Sequence, residues 1–300
     1  MSTVIEVRSL THHYHGHEAL RGVDFTVPAG SFYGLLGPNG AGKTTTLDIL
    51  MNLLRPTAGE ARVLGTPSPR IGPRELTRIG YASPEQKLPG WMTLERLYAY
   101  LAPLYPTWDT AFADRLTEQL ALPRGRKISQ MSRGERMKTA LAAAMAFRPQ
   151  VLILDEPFTG LDAIVRADLV TSLLDPAQRE GWTVLLSSHD LEDIEPLVDR
   201  IGILNQGRTI LDVTVEHLAE RYRRVEAVFA DAVQAVSPLP ESWRAWTVSG
   251  RAARFVDTDF TSEAEVRRRL PGAQHVEIAA ISLRELFVTL CQGERRVEAA

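Results

Sequence analysis

Residues 37–44 read Gly-Pro-Asn-Gly-Ala-Gly-Lys-Thr, which matches the phosphate-binding pattern G-x-x-x-x-G-K-[ST]. The pattern follows an apolar run, Phe32–Leu36, and precedes a stretch that predicts a helix from Thr44 to about Leu54. Glycines let backbone N–H groups curl around phosphate oxygens, and the positive end of the following helix points at the anion. The stretch predicts a nucleotide phosphate site that comprises Gly37, Pro38, Asn39, Gly40, Ala41, Gly42, Lys43, Thr44 and Thr45.

Two side chains of this site have separate chemical tasks. Lys43 is long enough to reach the β- and γ-phosphates, and the Thr44 hydroxyl is a ligand for Mg²⁺. The predicted cofactors are therefore ATP and Mg²⁺.

A pair of carboxylates follows a second apolar run. Residues 151–157 read Val-Leu-Ile-Leu-Asp-Glu-Pro, so Asp155 and Glu156 stand at the carboxyl end of a buried strand. Ligands of parallel α/β sheets bind at that edge. We expect Asp155 to hold Mg²⁺, directly or through a water, and Glu156 to polarise the attacking water in line with the γ-phosphorus.

The order of apolar runs predicts an α/β chain. Unbroken runs such as Thr183–Leu186 are typical of a mostly parallel sheet covered by helices, and Ala163–Leu174 predicts a helix between two of its strands. The alternating segments Val4–Leu10 and Gly22–Val27 predict an N-terminal antiparallel β part. The stretch from Thr93 to Phe147 contains no clear strand and predicts an inserted helical subdomain at about 87–147.

The sequence pattern changes after Leu218, where short predicted strands and helices follow without any phosphate-binding motif. Arg223–Phe229 and Trp243–Val248 predict strands, and Ser262–Leu270 predicts a charged helix. Ser282 with Glu285 forms the capping-box pattern of a final helix. We predict a nucleotide-binding domain over 1–218 and a small C-terminal α+β appendage over 219–300.

Composition narrows the class of protein. The 300 residues are 44% apolar and 24% charged, which excludes a disordered or fibrous chain. The formal net charge of −3 predicts no direct binding of nucleic acid. One cysteine excludes an intramolecular disulfide and fits a reducing cytosol. No apolar run approaches the ~20 residues of a membrane helix, and we expect no signal peptide.

The motifs, in this order, resemble those of the ATP-binding cassette (ABC) family of transporter ATPases over residues 4 to about 215. Residues 131–135, Met-Ser-Arg-Gly-Glu, stand where that family carries its Leu-Ser-Gly-Gly-Gln signature. The resemblance implies a P-loop NTPase core of the ABC ATPase type. It also implies that Ser132 and Gly134 contact ATP held by a second chain, so that two chains enclose the nucleotide.

The signature departs from the family pattern at two positions. Arg133 replaces the first glycine, and Glu135 replaces glutamine. Ser132 and Glu135 form a capping box, which predicts a helix start that binds phosphate. Arg133 adds a cation, and its contact with phosphate or with the partner chain stays open at this stage.

Three further residues match family motifs. Thr159-Gly160-Leu161-Asp162 resembles the D-loop, in which Asp162 lies at the dimer seam. Ser187-Ser188-His189-Asp190 resembles the switch loop, which makes His189 a γ-phosphate contact. Tyr14 resembles the aromatic residue that stacks on adenine. The histidines beside it, at 12, 13, 15 and 17, predict a solvated loop rather than a metal site, because no carboxylate or cysteine pattern completes one.

The glutamine loop of the family is less regular here. Residues 79–86 read Ile-Gly-Tyr-Ala-Ser-Pro-Glu-Gln, which puts Pro84 at the usual glutamine position. We expect Gln86 to contact Mg²⁺ and water, with Glu85 as its rival. Residues 87–94 belong, by resemblance, to the surface that docks a membrane subunit, and Trp91 is the best interface candidate.

The resemblance implies an ATPase subunit of an ABC transporter, closest to bacterial export or multidrug-resistance branches. Its partners would be a polytopic membrane subunit on a separate chain and a second ATPase chain, in a homo- or heterodimer. It would lie in the cytoplasm, peripheral on the cytoplasmic face of the membrane. The alternatives are a soluble ABC ATPase acting on a macromolecular or cluster-assembly partner, and a P-loop kinase or GTPase.

Overall fold

A computed structural model describes residues 2–191, 194–231 and 239–297. It divides into two compact units, Met1–Asp212 and Val213–Ala300. The domain boundary predicted at residue 218 lies inside the helix Val215–Arg221. In the described ranges, no helix is long and apolar enough to span a bilayer.

The first unit begins with a twisted antiparallel sheet. Its strands lie in the order β2-β1-β4-β5. The long strands extend beyond the predicted segments because both continue into the turn at Gly16. The bounds are β1 Thr3–Tyr14, β2 His17–Pro28, β4 Ala58–Val63 and β5 Thr66–Pro67.

The second sheet carries the residues of interest. Its order is β10-β9-β3-β8-β7-β6, and the five strands from β9 to β6 pair in parallel. Helices cover its buried strands, as the unbroken apolar runs predict. The bounds are β3 Phe32–Leu36, β6 Ile79–Ala82, β7 Val151–Leu154, β8 Thr183–Ser188, β9 Arg200–Asn205 and β10 Arg208–Thr214.

The helices of the first unit include a helical insertion between β6 and β7. The predicted helical subdomain falls within this span, which contains no named strand. The bounds are α1 Lys43–Leu50, α2 Pro73–Leu76, α3 Leu94–Leu101, α4 Thr110–Gln119, α5 Arg133–Met145 and α6 Ala163–Glu180, with short 3₁₀ turns at Ser68–Arg70, Ala102–Leu104 and Ile128–Gln130.

The predicted end of α1 at about Leu54 is wrong, and the helix ends at Leu50. Asn52 adopts a left-handed backbone with φ 57°. The N–H groups of Leu53 and Leu54 both turn back to the carbonyl of Asp48. A left-handed asparagine that recaptures carbonyls in this way is a common helix stop.

One apolar cluster joins the two sheets of this unit. Ile5 and Phe25 of the first sheet, Leu35 and Ile153 of the second, and Leu47 of α1 are all at most 3% exposed. Since α1 is packed on both sheets, the loop that precedes it is held at the carboxyl edge of β3.

The second unit is a small α+β fold with its own core. Its sheet has the order β12-β13-β11-β14, and Val225, Trp243 and Phe255 are buried together. The bounds are α7 Val215–Arg221, β11 Arg223–Phe229, β12 Trp243–Ser249, β13 Ala252–Asp257, α8 Glu263–Arg269, β14 Ala273–Ala280 and α9 Leu283–Val297.

Candidate active site

The loop between β3 and α1 has a backbone that only glycine fits at several points. Gly40 and Gly42 have φ values of 80° and 104°. A β-carbon on Gly42 would lie 2.5 Å from Leu20 Cδ2, and one on Gly37 would lie 2.5 Å from the carbonyl oxygen of Leu204. A side chain at either position would collide with these packed neighbours, so this loop conformation requires glycine there.

Lys43 closes this loop. Its Nζ donates to the carbonyl oxygen of Gly37 at 2.7 Å and to that of Pro38 at 3.3 Å. The same Nζ lies 3.2 Å from Oε1 of Glu156, and the Lys43 side chain is only 5% exposed. A buried ammonium held between loop carbonyls and a carboxylate is the charge that an anionic ligand would meet.

Thr44 and Asp155 meet across the sheet edge, although they are 111 residues apart. The Thr44 hydroxyl donates to Asp155 Oδ2 at 2.9 Å. The Ser187 hydroxyl donates to Asp155 Oδ1 at 2.6 Å. Burial raises the pKa of Asp155 above its ordinary value, and these hydrogen bonds oppose the rise. The carboxylate is thus oriented by two hydroxyls and faces the phosphate loop.

Glu156 has an unusual backbone, with φ 45°. Its Oε2 accepts a hydrogen bond from the Thr159 hydroxyl at 2.9 Å and lies 2.8 Å from His189 Nδ1. Burial raises the pKa of Glu156, but the Lys43 ammonium and the hydrogen bonds outweigh it. The net pKa lies below the ordinary value, so this side chain is a carboxylate at neutral pH.

These groups line one open cleft of about 500 Å³. It brings together most of the residues predicted for a nucleotide site, although they come from distant parts of the chain. The predicted residues that line it are Tyr14, Asn39, Gly40, Ala41, Gly42, Lys43, Thr44, Thr45, Asp155, Glu156 and His189.

Tyr14 lines the cleft beside the phosphate loop. Its hydroxyl is 3.4 Å from Thr45 Oγ1, and its ring meets His12 edge-on at 4.6 Å. The Tyr14 side chain is 44% exposed. An aromatic face exposed beside a phosphate loop suits a nucleotide base. In the described residues, no group of histidines and acids has the arrangement of a metal site.

The glutamine loop places its two candidate residues differently. Glu85 N–H donates to the Ser83 hydroxyl at 3.2 Å, and Gln86 N–H donates to the Ser83 carbonyl at 3.1 Å. In this turn, Pro84 and Glu85 line the nucleotide cleft. Gln86 lines a neighbouring cavity of about 190 Å³ instead. Glu85, the rival candidate, is therefore the side chain at the cleft, and a role for Gln86 stays a prediction.

The signature forms the start of α5, as the capping box predicts. The Ser132 hydroxyl accepts from the Glu135 N–H at 3.1 Å, and Glu135 Oε2 accepts from the Ser132 N–H at 2.7 Å. Arg126 also binds the Glu135 carboxylate, at 2.9 Å. Ser132 and Gly134 do not line the cleft of their own chain, whereas Arg133 does.

Asp162 begins α6. Its Oδ1 accepts a hydrogen bond from the Val165 N–H at 2.9 Å. The preceding residue, Leu161, packs on the signature, because a β-carbon on Gly134 would lie 3.2 Å from Leu161 Cδ2. The D-loop and the signature of one chain therefore touch.

Comparison with known proteins decides the family. The ABC transporter family model matches residues 20–159. The ABC transporter ATP-binding protein YtrB of Bacillus subtilis is 30% identical over 98% of this chain and 100% of its own length. The daunorubicin resistance ATP-binding protein DrrA3 of Streptomyces coeruleorubidus is 36% identical over 99% of each chain. This chain belongs to the ABC transporter ATP-binding family.

Solved structures agree with this assignment. An ATP-binding subunit of an ABC transporter gives a TM-score of 0.65 at 27% identity, over 72% of this chain and 92% of that chain. A dimeric bacterial ABC transporter cassette gives 0.63 at 25% identity, over 70% and 98%. The predicted fold class, a P-loop NTPase core of the ABC type, is confirmed. As members of this family are ATPases, the chain binds and hydrolyses ATP.

Two hydroxyl side chains, to which the sequence motifs assign no role, belong to the ABC site. Ser187 contacts both carboxylate residues, because it also accepts a hydrogen bond from the Glu156 N–H at 2.9 Å. Thr159 orients the Glu156 side chain. Both are hydroxyl residues that begin recognised motifs, the D-loop for Thr159 and the switch loop for Ser187. Their place in these motifs is the sequence feature that could have identified them.

Proposed function

We propose that this chain binds MgATP in the described cleft and works as one of a pair of ATPase chains. The pair would drive substrate export through a separate polytopic membrane subunit. The observation that carries the proposal is the convergence of Lys43, Thr44, Asp155, Glu156 and His189 at one end of the phosphate loop. A cation, two hydroxyl or carboxylate ligands and a water-activating base are the parts that phosphoryl transfer to water requires.

The nucleotide would lie along the cleft from Tyr14 to Glu156. Tyr14 stacks on the base, while the backbone of residues 37–42 and the Lys43 ammonium hold the phosphates. The buried, paired state of Lys43 supports this role, because a triphosphate would offer the ammonium a second anionic partner.

The Thr44 and Asp155 oxygens fit Mg²⁺. They are 2.9 Å apart and are of the hard oxygen type that this ion prefers. When bound, Mg²⁺ neutralises charge on the phosphates. Gln86, the third predicted Mg²⁺ ligand, lines the neighbouring cavity, so it would reach the ion only after movement of its loop.

Glu156 would accept the proton of the attacking water. Its pKa lies below the ordinary value, because Lys43 and its hydrogen-bond donors outweigh burial, so the side chain is ionised at neutral pH and able to accept a proton. His189 lies 2.8 Å from Glu156 Oε2 and would contact the γ-phosphate while holding that carboxylate in place. The two residues would thus sense the same phosphate.

The second chain would supply Ser132 and Gly134. In one chain these residues lie outside the lining of the cleft, so they need another nucleotide to act on. The capped start of α5 provides N–H groups and a positive helix end for that phosphate. Asp162 would lie at the same seam. The similar cassette that is described as dimeric supports this arrangement.

Export is supported by the relatives. They include ATP-binding proteins named for daunorubicin resistance and for bacitracin transport. Trp91 is 65% exposed in the segment that resembles the docking surface. An exposed tryptophan of this kind is a typical interface anchor. We place the chain on the cytoplasmic face of the membrane, bound there through its partner.

The residue roles are tested with Glu156→Gln. We expect steady ATP hydrolysis to fall at least about a hundredfold, because the base is lost. MgATP affinity should change little, since the amide keeps the shape of the side chain. Phosphate release and equilibrium nucleotide binding measure the two effects. Glu60→Gln is the matched control, because it makes the same change at a carboxylate that pairs with Arg62 outside the cleft. Undiminished hydrolysis by Glu156→Gln would remove Glu156 from this role.

The membrane partner is tested separately by purification of the tagged chain from its native membranes in mild detergent. We expect a protein with about six apolar segments of ~20 residues to copurify. Trp91→Glu should release that protein while ATP binding is kept. Copurification of a soluble partner alone would contradict the transport proposal.

A further inference from the structure

Arg133 turns back toward its own chain. It is the first residue of α5, and its side chain is exposed. A β-carbon on Gly160 would lie 3.6 Å from Arg133 Nη1, 3.8 Å from Cζ and 4.0 Å from Nε. The guanidinium therefore lies against the D-loop glycine, which has no side chain to displace it.

This position brings Arg133 to the phosphate end of its own cleft. Arg133 lines the nucleotide cleft and also the neighbouring cavity, and Glu85 and Thr159 line both as well. The Thr159 hydroxyl is bonded to the Glu156 carboxylate, which lies 3.2 Å from Lys43 Nζ. Arg133 therefore lines the same part of the cleft as Thr159, which orients the Glu156 carboxylate.

The charges of the cleft leave this guanidinium available. Lys43 is buried and paired with Glu156. Arg133 forms no ion pair or hydrogen bond through its side chain with any residue in the described part of the chain. Glu85, Asp155 and Glu156 also line the cleft, so a bound triphosphate would gain from a second protein cation beside Lys43.

We propose that Arg133 binds the terminal phosphate of the nucleotide held by its own chain. A guanidinium matches a phosphate with two parallel hydrogen bonds, which a glycine at this position does not offer. The inference rests on the proposed function, since it requires ATP in this cleft. Its neighbours in the signature, Ser132 and Gly134, remain the residues that serve the nucleotide of the partner chain.

One helix start would then contact two nucleotides. Arg133 would bind the terminal phosphate in its own cleft, and Ser132 would bind the one in the partner's cleft. A triphosphate, unlike a diphosphate, would hold the helical insertion against the α/β core of the same chain before the pair closes. The added cation would therefore act in the single chain as well as in the dimer.

The direct test compares ATP and ADP affinity in the full chain, at concentrations where light scattering shows a monomer. Arg133→Gln should weaken ATP binding about tenfold, about 1.4 kcal/mol, with ADP binding unchanged. Arg133→Lys should restore part of the loss. Arg136→Gln is the matched control, because Arg136 lies on the same helix and lines only the neighbouring cavity. ATP affinity of Arg133→Gln equal to that of wild type would overturn the proposal.

Mixed pairs with one inactive phosphate loop test whether Arg133 binds the nucleotide of its own chain or that of the partner chain. In a pair of wild type and Lys43→Ala, only the wild-type loop holds ATP productively. When Arg133→Gln is placed on the chain with the intact Lys43, ATP affinity at the cleft of that chain should fall. When it is placed on the Lys43→Ala chain, ATP affinity at the intact cleft should not change. A loss from the second placement, alone or equal to the first, would overturn the proposal.

The failure of this inference is distinguishable from failure of the proposed function. If wild type binds ATP and Lys43→Ala does not, the site stands, whatever Arg133→Gln shows. If wild type itself binds no ATP, both proposals fall.

Discussion

At the scale of single residues, one buried hydroxyl organises the reacting groups. Ser187 is fully buried, donates to Asp155 at 2.6 Å and accepts from the Glu156 N–H at 2.9 Å. It thus orients the Asp155 carboxylate and fixes the backbone from which the Glu156 side chain projects. Residues that orient a ligand in this way often matter nearly as much as the ligand itself.

Ser187→Ala should lower ATP turnover by about ten- to a hundredfold, because both carboxylate residues lose a shared orienting partner. Steady-state hydrolysis measures the effect, and circular dichroism checks that the fold is kept. Ser188→Ala is the control, since the Ser188 hydroxyl donates to the Asp190 carbonyl instead. Equal turnover in the two variants would show that Ser187 has no positioning role.

The sequence predicts the residues of the recognised motifs better than the residues that orient them by hydrogen bonds. Lys43, Thr44 and Glu156 follow from local motifs, because the motif itself states the chemistry. The bond from Ser187 to Asp155 depends on which strands are neighbours, and only the observed pairing of Leu154 with Leu186 shows it. Even the side on which a loop residue faces, as with Gln86, depends on a turn that no short pattern specifies.

At the scale of elements, Arg148 fastens the helical insertion to the core. Its Nε and Nη2 bind Asp109 Oδ2 at 3.0 and 2.8 Å, and its Nη1 forms an ion pair with Glu180 at the end of α6. The guanidinium also lies 4.7 Å from the ring centroid of Phe112. Asp109 in turn caps α4 through the Phe112 N–H at 2.8 Å. One cation thus joins α4 and α6.

Asp109→Asn tests this junction, because asparagine keeps the helix cap and loses the charge. The Phe112 N–H and Arg148 hold the pKa of Asp109 below its ordinary value. The ionised Asp109 therefore contributes to the free energy of unfolding at pH values above the pKa of the unfolded chain, about 3.9. This contribution is lost as the pH falls through the lower pKa of the folded chain.

We expect the variant to lose about 1 kcal/mol or less at pH 7 and to show a weaker acid dependence of unfolding. Urea midpoints measured between pH 7 and the acid limit give both quantities. Asp114→Asn is the matched control, because Asp114 pairs with Arg124 inside the insertion. Parallel pH curves for wild type and Asp109→Asn would contradict the assignment.

Elements with a strong local signal are predicted well. The start of α5 at the Ser132 cap is confirmed, because capping depends on neighbours in sequence. The strand Ala273–Ala280 has a weak local signal, since Val276 is its only fully buried residue and only Ile278 continues an apolar alternation. Its position follows from pairing with β11, which is a tertiary effect.

At the scale of the whole molecule, the chain consists of an ATPase unit and a smaller α+β unit with a separate apolar core. The motif order predicts the first unit in detail, because each motif has a fixed place on the sheet edge. The second unit carries no such motif, and the stacked rings of Trp243, Trp246 and Phe255 pack in its own core cluster.

The central claim is that ATP joins two of these chains, and the mass of the Glu156→Gln variant in solution tests it most directly. Sedimentation with MgATP should show a dimer, whereas MgADP should leave a monomer. Adding Ser132→Ala to the same variant should abolish the dimer while each chain still binds ATP. A Glu156→Gln chain that stays monomeric when saturated with MgATP, alone and with its membrane partner, would contradict the account.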